Sequence, residues 1–338
     1  MNRVKSLLLS SMVLVLFFSS CVKTGSDSDT DKSGNWVKRS DFEGVARTEA
    51  VSFVIGNNVY VGGGFDGDNR LKDFWMYDQQ TSTWLKKADM PGAARNSAVA
   101  FVINGKGYVG TGYDGENKLN DFWEYDPSSN QWSQKTDFGG TARYGAIGFA
   151  INNKGYIATG YDGNHLKDLW EYDAATNLWV QKASIGGTKR SDASVFVYNN
   201  KAYVVAGINN GTYPNDFWVY DQASNTWTEK RKISSVSDET YDDNYGSNIV
   251  RSNATIFMMD NKAYLCGGDR SGVLSTVWAY DPETDSWSEK NPLEGASRSG
   301  AISFTLTNRG YIVTGNNSSY QFDDLWEFLP TADRNLND

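Results

Sequence analysis

Three short stretches set an aromatic ring directly before a carboxylate: Phe65-Asp66-Gly67, Tyr113-Asp114-Gly115 and Tyr161-Asp162-Gly163. Rings stack on the apolar faces of sugars and carboxylates accept from hydroxyls, so this pairing suits carbohydrate. The same triplet also satisfies a tight Asp-Gly turn with its ring packed on a neighbour. Just beyond lie Asp68 with Arg70 and Glu116 with Lys118, each a carboxylate two residues before a cation. A further stretch, Asp238-Glu239-Thr240-Tyr241-Asp242-Asp243-Asn244-Tyr245, sets Tyr241 and Tyr245 among acids. The one histidine, His165, stands beside Asn164 on a loop, where an ordinary surface residue is the simpler reading than a hydrolytic base. Asp66-Gly67-Asp68-Asn69 opens like a calcium loop, but its twelfth residue is Tyr77 rather than Glu, so no metal is predicted. No phosphate-binding glycine loop or dinucleotide fingerprint occurs, so no cofactor is predicted.

Composition bounds the partners. The 338 residues carry a formal charge of -9, which opposes nucleic-acid binding. Aromatics reach 14%, with 12 Trp and 19 Tyr, enough rings for a large core, while 33 Gly suit many turns.

The elements that must position these residues follow from a repeat. The motif Asp-Phe/Leu-Trp-x-Tyr-Asp recurs as DFWMYD, DFWEYD, DLWEYD and DFWVYD, with worn copies TVWAYD and DLWEF. Its Trp falls at Trp75, Trp123, Trp170, Trp218, Trp278 and Trp326; a second Trp follows nine residues later at Trp84, Trp132, Trp179, Trp227 and Trp287. Each unit reads as four strands. In the second, these are Ala98–Ile103, the Asn104-Gly105 hairpin turn, Gly107–Tyr113, Asp121–Tyr125, a turn at Asp126-Pro127, and an outer strand Gln131–Lys135. Such sheets repeating around an axis make a propeller. The sixth unit ends before its second Trp, and Trp36 supplies the missing indole. The predicted architecture is therefore an all-β, six-bladed β-propeller over 36–329, with four antiparallel strands per blade, closed by the N-terminal strand around Trp36 joining the C-terminal blade. Residues 330–338 are read as a C-terminal tail.

The Gly pair, the following Tyr-Asp and the spaced Trp resemble kelch repeats, shared with galactose-oxidase-type propellers. The pair is intact at Gly63-Gly64 and Gly267-Gly268 and reads Thr-Gly or Ala-Gly elsewhere. One His and two Cys do not build the copper site of those oxidases. In kelch ligand-binding propellers the rim positions after the repeated Arg often contact the partner. Here the repeated residues are Arg47, Arg95, Arg143, Arg190, Arg251 and Arg298, themselves read as scaffold, and the resemblance implies ligand roles for Glu49, Asn96, Tyr144, Asp192 and Asn253. Six-bladed kelch propellers also resemble bacterial N-acetylneuraminate mutarotases, which makes a sugar mutarotase the alternative, with Glu116, Asp68 and Arg70 as its nearest acid and cation.

Strand alternation puts the loops between second and third strands on the same face as the crossings between blades. Trp227 to Arg251 spans twenty-four residues where other units use eleven, so 228–250 holds an insertion on that face, expected to leave Tyr241 and Tyr245 over the central hollow. The expected function is an extracytoplasmic binding module, monomeric, for carbohydrate or a protein partner.

The N-terminus reads as an address. Arg3 and Lys5 precede an apolar run from Leu7 to Phe18, then Ser19, Ser20 and Cys21. This resembles a bacterial lipoprotein signal, with Phe18 where Leu is usual. It implies a signal peptide over 1–20, a lipid on Cys21, a polar disordered tether over 21–35, and anchoring in the bacterial cell envelope at the outer membrane, on its periplasmic side or at the cell surface.

Overall fold

The computed structural model describes residues 32–337; residues 1–31, including Cys21 and the signal segment, lie outside them. Among the described residues no helix is long and apolar enough to cross a membrane.

Six four-stranded antiparallel sheets form the fold. Blade one comprises Val51–Ile55, Asn58–Gly62, Phe74–Asp78 and Thr83–Lys87. Each later blade repeats this order, and inner strands of successive blades touch around a closed circle, with blade six meeting blade one. Two-residue turns join the first two strands of each blade, with positive φ at Asn104 and Gly105, for example.

The outer strand of blade six is Asn35–Lys38, paired antiparallel with Leu325–Leu329 so that Trp36 faces Phe328. Trp36 is fully buried, its ring 4.6 Å from that of Phe328. Residues just ahead of Trp36 also join the blade. The Ser33 carbonyl accepts from the Asn291 amide, and Asn35 is buried with its side-chain oxygen accepting from the amide of Asn335. The last residues thus brace the closing strand.

Two details of the blades bear on their packing, the first of which departs from the strand bounds read from the sequence. The second strand of blade two stops at Gly110, because Thr111 and Gly112 both take positive φ, 60° and 102°. All six blades do this. The second residue of the pair is always Gly, since a Cβ on Gly64 would meet the Thr48 carbonyl at 2.8 Å; the first tolerates Thr or Ala. Second, the two Trp of a blade do not stack on each other. Trp84 lies opposite Tyr77, ring centroids 5.0 Å apart, while the indole Nε1 of Trp75 donates to Asp73. Blades then lock through the Phe of the motif: Phe74 meets Tyr125 and Trp132 of the next blade at 4.8 and 4.9 Å.

The repeated arginines are frame. Arg95 is buried; it donates from Nη1 and Nη2 to both oxygens of Asp121, and also to the carbonyls of Ala93 and Thr111. Arg47, Arg143 and Arg298 repeat the arrangement with Asp73, Asp168 and Asp324. Arg190 reaches one carboxylate oxygen of Asp216 from Nη2 and donates from Nη1 to the carbonyls of Ala206 and Asp216. Such a pair, fork to fork and hydrogen-bonded on every side, ties the blade crossing to its third strand.

Candidate functional site

The residue two places after each repeated arginine closes the axis. Glu49, Ser97, Gly145, Asp192, Asn253 and Gly300 all have φ between 52° and 61°. Each amide donates to the carbonyl of the equivalent residue in the preceding blade: Ser97 to Glu49 at 3.0 Å, Gly145 to Ser97 at 3.0 Å, Asp192 to Gly145 at 2.7 Å, Asn253 to Asp192 at 2.9 Å, Gly300 to Asn253 at 2.9 Å, and Glu49 to Gly300 at 2.7 Å. Six backbone hydrogen bonds thus form a ring around the axis. Holding four non-glycine residues in the left-handed region costs on the order of 1 kcal/mol each, which the ring offsets.

A depression of about 170 Å³ sits at this ring, lined by these six residues and by Ala50, Ala98, Ala146, Ala193, Ala254 and Ala301. The ring positions break six-fold symmetry. Blades one and four place carboxylates on opposite sides of the mouth. One Glu49 oxygen accepts from Asn96 Nδ2 at 2.5 Å and from the Ser97 hydroxyl. Asp192 accepts from the Ser191 hydroxyl at 2.7 Å, and burial together with the Glu49 charge pushes its pKa up to about 6. Gly145 leaves room for it: a Cβ there would meet the Asp192 carboxylate at 2.4 Å. The mouth therefore offers acceptors, an amide and a hydroxyl, with one acid near half-protonation at mildly acidic pH.

Of the rim residues implied by the kelch resemblance, Glu49, Asp192 and Asn253 line the mouth, Asn96 props Glu49, and Tyr144 stands in the rim between Tyr113 and Tyr161, 5.4 and 5.5 Å away.

The three ring–acid triplets lie together on the loops of blades one to three, but their two halves differ in role. Asp66 accepts from the amides of Asp68 and Asn69 at 2.8 and 2.6 Å, and Asp114 repeats this with Glu116 and Asn117. Asp162 accepts from Asn164 N at 3.0 Å and the Thr141 hydroxyl at 2.8 Å. One oxygen of each carboxylate thus shapes its own loop, and the Asp114 carboxyl is held below its usual pKa mainly by the two backbone amides. The rings instead engage cations. The Arg70 guanidinium lies over Phe65 at 4.6 Å and over Tyr113 of the next blade at 5.2 Å, and Lys118 lies 5.8 Å above Tyr161. His165 occupies the equivalent loop position in blade three, 5.1 Å from Tyr161, its pKa lowered by burial. Neither Asp68 with Arg70 nor Glu116 with Lys118 forms an ion pair among the described residues; Arg70 instead donates to Asn96 at 3.3 Å. Sequence spacing showed the rings and acids but not the alternation with cations, because each cation crosses to a ring of the neighbouring blade.

The insertion does not cover the hollow. Tyr245 is 2% exposed, its hydroxyl accepting from the Trp287 amide at 2.9 Å and its ring 6.1 Å from Trp278. Tyr241 lies under the Arg231 guanidinium at 4.5 Å. Both are drawn to the flank of blade five. Thr276 replaces the motif Asp there, so Arg251 donates to the Asn248 carbonyl from the insertion and to the Thr276 hydroxyl.

Cys266 is a buried free thiol whose pKa burial pushes up, as suits an inert core residue. Among the described residues no cluster of three or more His, Cys, Asp or Glu is placed to hold a metal.

Comparison with known proteins agrees with this architecture. The family described as KLHDC2/KLHL20/DRC7 Kelch-repeats domain matches residues 29–189, and the Kelch motif matches 189–232 and 251–294, leaving out the insertion. A solved structure titled "Structure of YjhT" superposes with a TM-score of 0.71 at 16% identity, covering 85% of this chain and 95% of that one. No curated protein matches the sequence. The chain is a kelch-repeat β-propeller, a fold that typically serves as a binding or interaction module.

Proposed function

We propose that this propeller binds a carbohydrate or protein ligand on the face formed by the axial mouth and the loops of blades one to three, and that a lipid on Cys21 holds it in the bacterial envelope. One observation carries the binding reading: the side chains that depart from six-fold repetition and are not consumed by the frame gather on that face. Glu49, Asp192 and Asn253 crowd the mouth, and Phe65, Arg70, Tyr113, Tyr144, Lys118 and Tyr161 form the adjoining arc. The opposite ends of the strands carry short turns.

A glycan array together with affinity capture of soluble envelope proteins tests the reading. Ligand capture should weaken with Glu49→Gln and Asp192→Asn at the mouth while the melting temperature stays within a few degrees of the parent; a ligand that both variants and arc substitutions retain in full would place binding elsewhere. The anchor is tested separately: a diacylglycerol-sized mass on Cys21 and detergent-phase partitioning are expected, both abolished in Cys21→Ser. A Cys21→Ser protein that still partitions into detergent would rule that attachment out.

A further inference from the structure

We infer that the arc on blades one to three is a subsite for an anionic glycan, its acid groups read by Arg70 and Lys118 and its hydroxyls by the loop tips around them. The inference rests on the reading of this face as the binding face and goes beyond it by naming the ligand class and the residues that select it.

Three observations lead there. First, one loop position carries a base in three successive blades: Arg70, Lys118 and His165 each pair across their own loop with Phe65, Tyr113 and Tyr161. The same position, three residues before the motif aspartate or its replacement, holds Tyr213 in blade four, Val273 in blade five and Gln321 in blade six. Second, these bases are not neutralised. Every frame arginine but Arg251 is spent on an aspartate, and Arg270 on the opposite rim donates to the Ser247 carbonyl. Arg70 donates only from Nε, to a neutral amide, and neither it nor Lys118 forms an ion pair among the described residues. Arg70 and Lys118 thus stand without an ion-pair partner there, in loops that also carry Asp66, Asp68, Asp114 and Glu116. The arc is of mixed charge, with its cations available to a ligand. Third, the charges are pre-positioned. Arg70 is clamped between Phe65 and Tyr113, and the ring series continues through Tyr144 to Tyr161 and His165. A guanidinium so held loses little side-chain freedom on pairing with a carboxylate or sulfate.

The surroundings favour sugar over acidic peptide. Asp68 and Glu116 are exposed at the tips of the two loops that carry Arg70 and Lys118, with Asn69 and Asn117 beside them. A polyacidic peptide would set its side-chain carboxylates against Asp68 and Glu116 and offer them no donors but its backbone amides. A glycan brings hydroxyl donors for those carboxylates and acid groups for the cations, so mixed acid, amide and base select a ligand carrying both. Burial lowers the His165 pKa, so near neutral pH the arc's positive charge comes from Arg70 and Lys118.

The test measures binding of the full propeller to oligogalacturonate, to its neutral methyl ester, to a sulfated glycan and to a poly-glutamate peptide, at two salt concentrations. The acidic glycans should bind, and more weakly as salt rises, with the methyl ester weaker by roughly tenfold. Arg70→Gln, which keeps a flat side chain between the rings, and Lys118→Gln should each cost roughly tenfold for the acidic glycans, with melting temperature unchanged. Thr212→Ala on the far rim should cost nothing. Equal affinity for acid and ester, preference for poly-glutamate, or no binding of any acidic glycan overturns the inference. If instead a neutral glycan or a protein binds, and is lost with Glu49→Gln but not with Arg70→Gln, the inference fails while the binding face stands.

Discussion

Blades one to three and blades four to six stand on one frame and present different surfaces. In the first half each loop carries a ring and a base, and the bases reach across blade boundaries. In the second half the same positions hold Ile208 and Tyr213, or Asp269 and Val273, and the departures from repetition sink inward. The clearest inward departure is blade five, where Thr276 replaces the motif aspartate. Trp278 Nε1 is left without a partner among the described residues, Arg251 turns to carbonyls, and the insertion's Tyr245, Ile249 and Val250 join the core. A repeat therefore diverges in two ways. A change on the rim leaves packing alone and is free to serve a ligand, whereas a change in the frame must be answered by other frame residues.

The largest effects should come from the frame. Trp36→Ala opens the ring's closure and should cost about 3–5 kcal/mol in denaturant unfolding; an unchanged unfolding midpoint would show that the ring holds without its latch. Arg95→Ala strands the carboxylate of Asp121 beneath the crossing and should cost a similar amount, about 3–5 kcal/mol. Tyr245→Ala should cost about 3–4 kcal/mol, because it removes a buried ring and the acceptor of the Trp287 amide. Loss of ligand binding without loss of stability in that variant would restore the insertion to the rim and break the comparison.

A smaller effect belongs to the mouth. The Asp192 pKa is raised to about 6 in the fold, above its ordinary value of 3.8, so the folded state holds a proton that the unfolded chain has released. Its contribution to stability is complete below about pH 4 and is lost as pH rises through about 6. Asp192→Asn should therefore match the parent at pH 4 and exceed it at pH 8, by about 1–2 kcal/mol for a partly exposed group. Equal stability gaps at both pH values would mean that Asp192 is ordinary. The smallest effect is a repair: Thr276→Asp offers Arg251 the carboxylate it lacks, and Trp278 an acceptor, for about 1 kcal/mol of added stability by thermal melting. A decrease would mean that the insertion already fills the place.

Much of this was legible in the chain alone. The spacing of Trp75, Trp123, Trp170, Trp218, Trp278 and Trp326 determined six sheets, and the absent second Trp of the last unit determined that Trp36 must close the ring, because a propeller edge left open would expose an unpaired strand. The arginines read as frame because they recur in every blade, and the pairing of five of them with the motif aspartates, with Arg251 buried among carbonyls, bears that out. What the sequence could not carry was direction. Asp66, Asp114 and Asp162 have the composition of sugar-binding acids, yet each also accepts from amides of its own loop. Tyr241 and Tyr245 sit in a stretch polar enough to be surface, yet an absent carboxylate at position 276, beyond any local window, draws them to the flank. The contact of Arg70 with Tyr113 joins residues of different blades, and the ring of amides at the mouth joins all six. Such features depend on how one sheet faces the next, a relation that a repeat implies but only the assembled circle fixes.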